Sequence, residues 1–387
     1  MKTKTKTTWR KMKLGEIARD IREPYEPIKT EGKPYIGLEH IEQQTLQLSG
    51  VGRSSETQST KKVFKSGDIL FGTLRPYFRK VVRPKFDGVC STDIAVIRPT
   101  QKGDGDFLKY FIANQDFIDF ASNISSGTRM PRANWKTLQK TEWTLPELGE
   151  QNKIGDVLSA YDDLIENNTK RIKILEQIAQ AIYKEWFVGN LRFKNQKAKL
   201  SEVVKPQYGY TESAQNKPVG PKYLRGMDIN KTSYIDWSNV PYCEISNEDK
   251  KKYQLEKGDI VVIRMADPGK IGIMEQDADA VFASYLIRLK IIDDRISPYY
   301  LFYFLISDQY QNYIQGASGG TTRKSASAGV VVGTDIVIPP KELVDKFEEK
   351  ISLLRAELNN LLVQNSNLRQ ARDLLLPKLV GGEIEVG

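Results

Sequence analysis

The feature that most constrains this chain is a long amphipathic stretch that occurs twice. From Glu147 to Phe187, apolar residues recur every three or four positions, at Ile154, Leu158, Tyr161, Ile165, Ile172, Leu175, Ala179, Ile182 and Trp186. That spacing places them in one seam of a single helix. Neither Pro nor Gly interrupts it after Gly155, and Asn168 is its polar break. A helix of roughly 35–40 residues is a rod of about 50–60 Å. The same register returns 193 positions later at Phe347, Ile351, Leu354, Leu358, Leu361, Leu368, Leu375 and Leu379, with Asn365 and Arg372 as polar positions. One apolar stripe is ordinarily core; its duplication argues for an internal repeat. The expected coiled-coil contact sets Ile154, Leu158, Tyr161, Ile165, Ile172 and Leu175 against Phe347, Ile351, Leu354, Leu358, Leu361 and Leu368.

The segments between the rods repeat as well. Lys13–Ile17 matches Lys199–Val203, and Tyr35–Ile41 matches Tyr223–Ile229. Gly67-Asp68 and Gly258-Asp259 each supply turn chemistry before a β-rich run. A further strand is expected at 93–97 and at 285–289. An aromatic helix is expected from Phe107 to Phe120 and from Tyr299 to Tyr313. A Gly-containing basic loop then follows at 125–132 and 319–324, and each half closes on a short strand ending in Pro146 or Pro339.

The chain is therefore expected to be α+β: two similar mixed domains joined by two long helices. The boundaries are 1–146 for the first domain, 147–190 for the first helix, 191–340 for the second domain and 341–387 for the second helix and tail. Parallel rods would hold the two ends of the second domain about 50–60 Å apart, against a radius of gyration near 15 Å for about 150 residues. Antiparallel packing removes that strain and implies an internal pseudo-twofold repeat.

The 387 residues carry 58 Lys and Arg against 49 Asp and Glu, a net charge of +9 that favours a polyanionic partner. There is no apolar run long enough for a membrane span, and the basic leader is not followed by an apolar signal core. Two cysteines in dissimilar contexts and a single histidine, His40, fit a reducing cytoplasm and give no Cys/His zinc set. Neither a P-loop nor an Asn-Pro-Pro-aromatic methyltransferase run occurs. Glu348-Glu349-Lys350 reads as a solvated helix face. No catalytic and no metal-ligating residue is expected; the chain reads as a binder.

The candidate binding groups lie at matching places. After the first Gly-Asp strand come Arg75, Tyr77, Arg79 and Lys80, and after the second Arg264 and Lys270. The basic loops add Ser126, Thr128, Arg129 and Arg132 in the first half, and Thr321, Thr322, Arg323 and Lys324 in the second. Guanidinium groups grip phosphate or read guanine, and small hydroxyl-bearing loops allow close approach.

Three further segments carry a family resemblance: Thr144–Ile154 at the start of the first rod, Ala181–Val188 at its end, and Leu374–Ile384 at the C-terminus. Together they resemble the DNA-specificity subunit of type I restriction–modification systems, over the whole chain. The second rod departs from the pattern, with Leu343-Val344 where the first has Glu150-Gln151. The resemblance implies two target-recognition domains reading the halves of a split, asymmetric double-stranded DNA target. It implies paired helices that act as a ruler and dock two methyltransferase subunits, with restriction subunits as further partners. It places cofactors on those partners (S-adenosylmethionine, ATP and Mg²⁺) and none on this chain. The alternatives are a stand-alone coiled-coil DNA-binding regulator and an enzyme with its own catalytic motif.

Overall fold

The computed structural model describes residues 9–125, 127, 129–188, 196–230, 232–319 and 324–386. The chain divides into two compact units, Met1–Asn167 with Asn365–Gly387, and Asn168–Gln364. Each long helix is thus divided between the units.

In unit 1, Trp9–Lys13 pairs antiparallel with Glu142–Pro146, the strand that leads into the first long helix. The short helix Leu14–Ile17 follows, its first free amide (Lys13) satisfied by the Glu16 carboxylate at 3.0 Å. A four-stranded antiparallel sheet has the order Ala18–Ile21, Ile94–Pro99, Ile69–Gly72, Val81–Val82. A second, five-stranded sheet includes Pro34–Ile36 and Gly88–Cys90 as a parallel pair.

Unit 2 repeats this plan. Lys197–Lys199 pairs with Asp335–Val337. Glu202 takes the Lys199 amide at 3.2 Å at the head of helix Leu200–Val203. Its four-stranded sheet runs Val204–Tyr208, Leu286–Ile291, Ile260–Ile263, Ile271–Ile273. Lys222–Leu224 and Ala280–Phe282 form the parallel pair.

The Gly-Asp turns have the same job in both units. Gly67 and Gly258 sit at φ +87° and +92°, a left-handed conformation that glycine adopts without a Cβ penalty. Asp68 closes its turn by accepting the Lys65 amide at 2.8 Å and grips Arg98 bidentately at 2.6 and 2.7 Å. Asp259 accepts the Glu256 amide at 2.9 Å and Arg288 at 3.3 Å. The carboxylate therefore locks the turn to the neighbouring central strand.

Two expectations need correction. The aromatic segment is two helices, not one, in each unit: Gly105–Ala113 then Gln115–Asn123, and Pro298–Ile306 then Asp308–Ala317. Asn114 and Ser307 are extended (ψ 145° and 154°), and the Asn114 side chain caps the helix that follows it. The long helices, Leu148–Tyr183 and Lys341–Val380, are each continuous, but their seam is not uniformly apolar. Asp162, Arg355 and Arg372 are buried, whereas Tyr161, Leu175, Leu354 and Leu368 are half-buried. An α-helix drifts by about 20° per heptad against a strict 3.5 repeat, so the buried face migrates off the heptad positions.

Pairing is antiparallel within each unit. In unit 1, Asp162 meets Arg372 and Asn365 reaches the Ile165 carbonyl at 3.5 Å. In unit 2, Asn168 bonds Gln364 at 3.4 Å and Arg171 bonds Glu357 at 2.6 Å. The helices also belong to the domain cores. Ile154 and Leu158 pack with Leu376, Leu379 and Val380 among the unit 1 aromatics. Phe347 and Ile351 pack with Ala179 and Tyr183 in unit 2, and Ile172, Leu358 and Leu361 form a smaller cluster there. Each such Val, Leu, Ile or Phe side chain contributes about 1.5–3 kcal/mol when fully buried, so these helices hold their domains together rather than merely link them.

Candidate nucleic-acid interface

The loop after the Gly-Asp strand and the basic loop, separate in sequence, are hydrogen-bonded to each other in both units. In unit 1, Leu74 bridges Arg132; the Arg75 amide donates to the Pro131 carbonyl at 2.8 Å and the Ala133 amide to Thr73 at 3.0 Å. In unit 2, Met265 bridges Ser325; the Ala266 amide donates to Lys324 at 3.0 Å and the Ala326 amide to Arg264 at 2.8 Å. The two junctions match atom for atom along the backbone. Arg75 is therefore equivalent to Ala266, Arg264 to Thr73, Arg132 to Ser325 and Lys324 to Pro131. Arg75 and Ala266 share a left-handed conformation, φ 51° and 70°, which costs a residue with a Cβ on the order of 1 kcal/mol. The same strain at the same point of both units marks a backbone shape that the fold enforces.

The candidate side chains sort into three groups. Arg79 and Lys80 turn inward: Arg79 Nε donates to the Ala113 carbonyl at 2.6 Å, and Lys80 Nζ donates to the Leu38 carbonyl. Burial pulls the Arg79 guanidinium below its usual range, partly offset by Asp373. Both are thereby spent on backbone carbonyls of their own unit; the Leu38 carbonyl also accepts the Ile41 amide at 3.3 Å. Arg75, Arg132, Arg264 and Lys324 form the second group, at the junctions. Arg75 lies over the Phe78 ring at 5.9 Å and Arg132 bonds Asp93 at 3.0 Å. Arg264 stacks on Tyr208 at 4.9 Å and Lys324 bonds Gln315 at 3.1 Å. The third group is open to solvent: Tyr77 at 47 % exposure, with Arg129 and Lys270. Ser126, Thr128, Thr321, Thr322 and Arg323 lie outside the described residues.

Sequence reading missed the groups that hold this surface in place. Tyr208 ends a strand 56 positions before the arginine it supports, and Asp93 lies in an unremarkable turn before strand Ile94–Pro99. Gln311 and Gln315 donate to the carbonyls of Gly269 and Pro268 at 2.8 and 2.9 Å, pinning the unit 2 loop to helix Asp308–Ala317. No spacing rule signals such contacts. His40, by contrast, is structural: its Nδ1 accepts the Gly37 amide at 2.9 Å and its ring meets Tyr35 edge-on. Among the described residues, no group of three or more His, Cys, Asp or Glu is placed to hold a metal ion, and no helix is long and apolar enough to cross a membrane.

Comparison with known proteins places this architecture. The chain is 26% identical to the MjaIX specificity subunit of Methanocaldococcus jannaschii, a type I restriction enzyme, over 84% of this chain and 79% of that one. It is 24% identical to the HindI specificity subunit of Haemophilus influenzae over 97% and 99%. A crystal structure of a type I restriction–modification S subunit from M. genitalium shares the fold, with TM-score 0.59, 16% identity and 98% of both chains covered. The model of the type I restriction modification DNA specificity domain matches residues 6–177 and 194–362, and the chain belongs to that family.

Proposed function

We propose that this chain is the DNA-recognition subunit of a type I restriction–modification complex, with each unit reading one half of a two-part, asymmetric target. The observation that carries this is the duplicated junction. Identical backbone frames present Arg75 and Arg132 in one unit and Arg264 and Lys324 in the other, so equivalent positions offer different chemistry. Two different half-sites follow from that difference. The guanidinium and ammonium groups neutralise phosphate or read base edges, while the inward Arg79 and Lys80 keep the loops in shape.

The chain contributes recognition and no reaction of its own. Methylation belongs to two modification subunits docked on it, using S-adenosylmethionine. Cleavage belongs to restriction subunits using ATP and Mg²⁺. Such a complex works on DNA in the cytoplasm. The test is expression of the full chain with its modification subunit, followed by methylome sequencing. A single two-part methylated motif is expected. Tight specific DNA binding by the chain alone, with no methylated motif, would instead make it a stand-alone regulator.

A further inference from the structure

Unit 2 contains a cavity of about 490 Å³ beside its loop junction, walled by Ile263, Met265 and Met227 and rimmed by Tyr285, Glu212 and Asp267. Its size lies within the range of built ligand pockets. In unit 1 the equivalent ground is lined by different residues. Arg75 stands at the position of Ala266. Gly72 replaces Ile263, and a Cβ there would lie 2.9 Å from Leu38 and 3.1 Å from Lys80. Lys62 donates into the neighbouring turn, to Thr92 and Ile94 carbonyls at 3.0 and 2.7 Å.

The lining chemistry is one-sided. Met227 and Tyr285 are 65 % and 55 % exposed, so apolar surface stands open at the rim. Arg225 lines the same space, but Asp228 takes its guanidinium at 2.9 and 3.1 Å. Glu212 and Asp267 are exposed carboxylates. Asp267 lies in the same loop as Arg264 and Lys270, next to Ala266, whose amide donates to the Lys324 carbonyl at 3.0 Å. Carboxylates on a phosphate-facing surface are repelled by DNA unless they accept hydrogen bonds from it. In the major groove the available donors are the amino groups of cytosine and adenine. Guanine offers only acceptors there, O6 and N7, which carboxylates reject. Thioether and aliphatic walls suit a thymine methyl.

We propose that this cavity is a specificity pocket: it admits the amino-bearing edge of cytosine or adenine in one half-site and excludes guanine, with Glu212 and Asp267 as the acceptors. Unit 1, with Arg75 at the position of the lining residue Ala266, has a donor suited to guanine instead. The inference rests on the recognition-subunit reading above and goes beyond it by naming the base class.

The test is methylome sequencing of cells expressing the full chain with its modification subunit, comparing the wild type with Asp267→Asn and Glu212→Gln. An amide can donate as well as accept, so one position of one half-site should become tolerant of guanine. Discrimination there should fall by about ten-fold, with the other half-site unchanged. Both positions are exposed, and an unchanged half-site shows that the variant folds and assembles. An unaltered motif in both variants overturns the pocket. So does a change in both half-sites, or loss of all methylation at an unchanged melting temperature. A wild type that marks no two-part motif at all refutes the subunit reading instead.

Discussion

Arg372 of the second long helix donates from Nη1 to the Asp162 carboxylate of the first at 2.5 Å, with the arginine side chain entirely out of solvent. Lys109 also bonds this carboxylate, and Tyr110 donates its hydroxyl at 2.7 Å. A second Arg372 bond reaches the Thr45 carbonyl at 3.0 Å. The carboxylate thus fastens both helices and a domain helix within unit 1, and Arg372 adds a domain loop.

Replacing Asp162 by Asn would leave the buried Lys109 without this counter-charge and Arg372 with only the more exposed Asp373, at 3.0 Å. Breaking a buried pair from one side costs about 3–5 kcal/mol. Burial alone would raise the Asp162 pKa, but Lys109 and Arg372 outweigh it and hold the carboxyl below its ordinary value. Its contribution is therefore present in full above the unfolded pKa of about 3.9, and is lost as pH falls through the lower folded value. Denaturant melts at pH 7 should show the large loss in Asp162→Asn. Titration below pH 4 should show a steeper acid limb in the wild type than in the variant. An Asp162→Asn protein as stable as the wild type at pH 7 would remove the network from the account of unit 1.

Salt should weaken DNA binding by the assembled complex steeply, because phosphate contacts release counterions. Arg129→Ala, an exposed position in the basic loop, should lower affinity for all sequences and flatten the log–log salt slope by about one. Arg75→Ala should cost about 1–3 kcal/mol on the cognate sequence and little on others. Binding titrations at several salt concentrations separate the two behaviours, and a flat salt response would contradict the interface.

The paired helices offer a test of the ruler. Seven residues inserted after Asn168, with seven more after Gln364, preserve the seam and lengthen each helix by about 10 Å. That matches about three base pairs at 3.4 Å each. Methylome sequencing should show the same half-sites with a spacer about three base pairs longer. An unchanged spacer in a folded, active complex would rule out a measuring role.

Both cysteines should resist modification while the chain is folded. Burial pushes the Cys90 thiol up to about 12, and burial pushes Cys243 up to about 11. The thiolate is the reactive form, so iodoacetamide at pH 8 should label neither within the time that labels the unfolded chain completely. Rapid labelling of Cys90 in the native protein would mean that the strand pair Pro34–Ile36 and Gly88–Cys90 opens.

The repeat, the two long helices and the Gly-Asp turns were legible in the sequence because each depends on local spacing: 3.6-residue periodicity, a fixed offset, a turn that needs positive φ. The candidate loops were legible too, as matching basic segments. Their partnership was not. Arg75 and Pro131 are joined by a hydrogen bond whose two ends lie more than 50 residues apart, and a sequence carries no record of which loops meet. Nor could residue type tell Arg79 and Lys80, spent on buried carbonyls, from Arg129, open to solvent.

The repeat offset makes Asp162 and Arg355 equivalent positions on the two helices, yet one is an anion and the other a cation. The apolar seam runs through their neighbours Tyr161 and Leu354, so local pattern leaves both beside it and says nothing more. Tertiary packing decides their meaning: Asp162 is surrounded by Lys109 and Arg372, and Arg355 by Glu275, which it grips twice at 2.6 Å. A buried charge is tolerable only beside its counter-charge, and the counter-charge comes from residues that only the folded chain brings near.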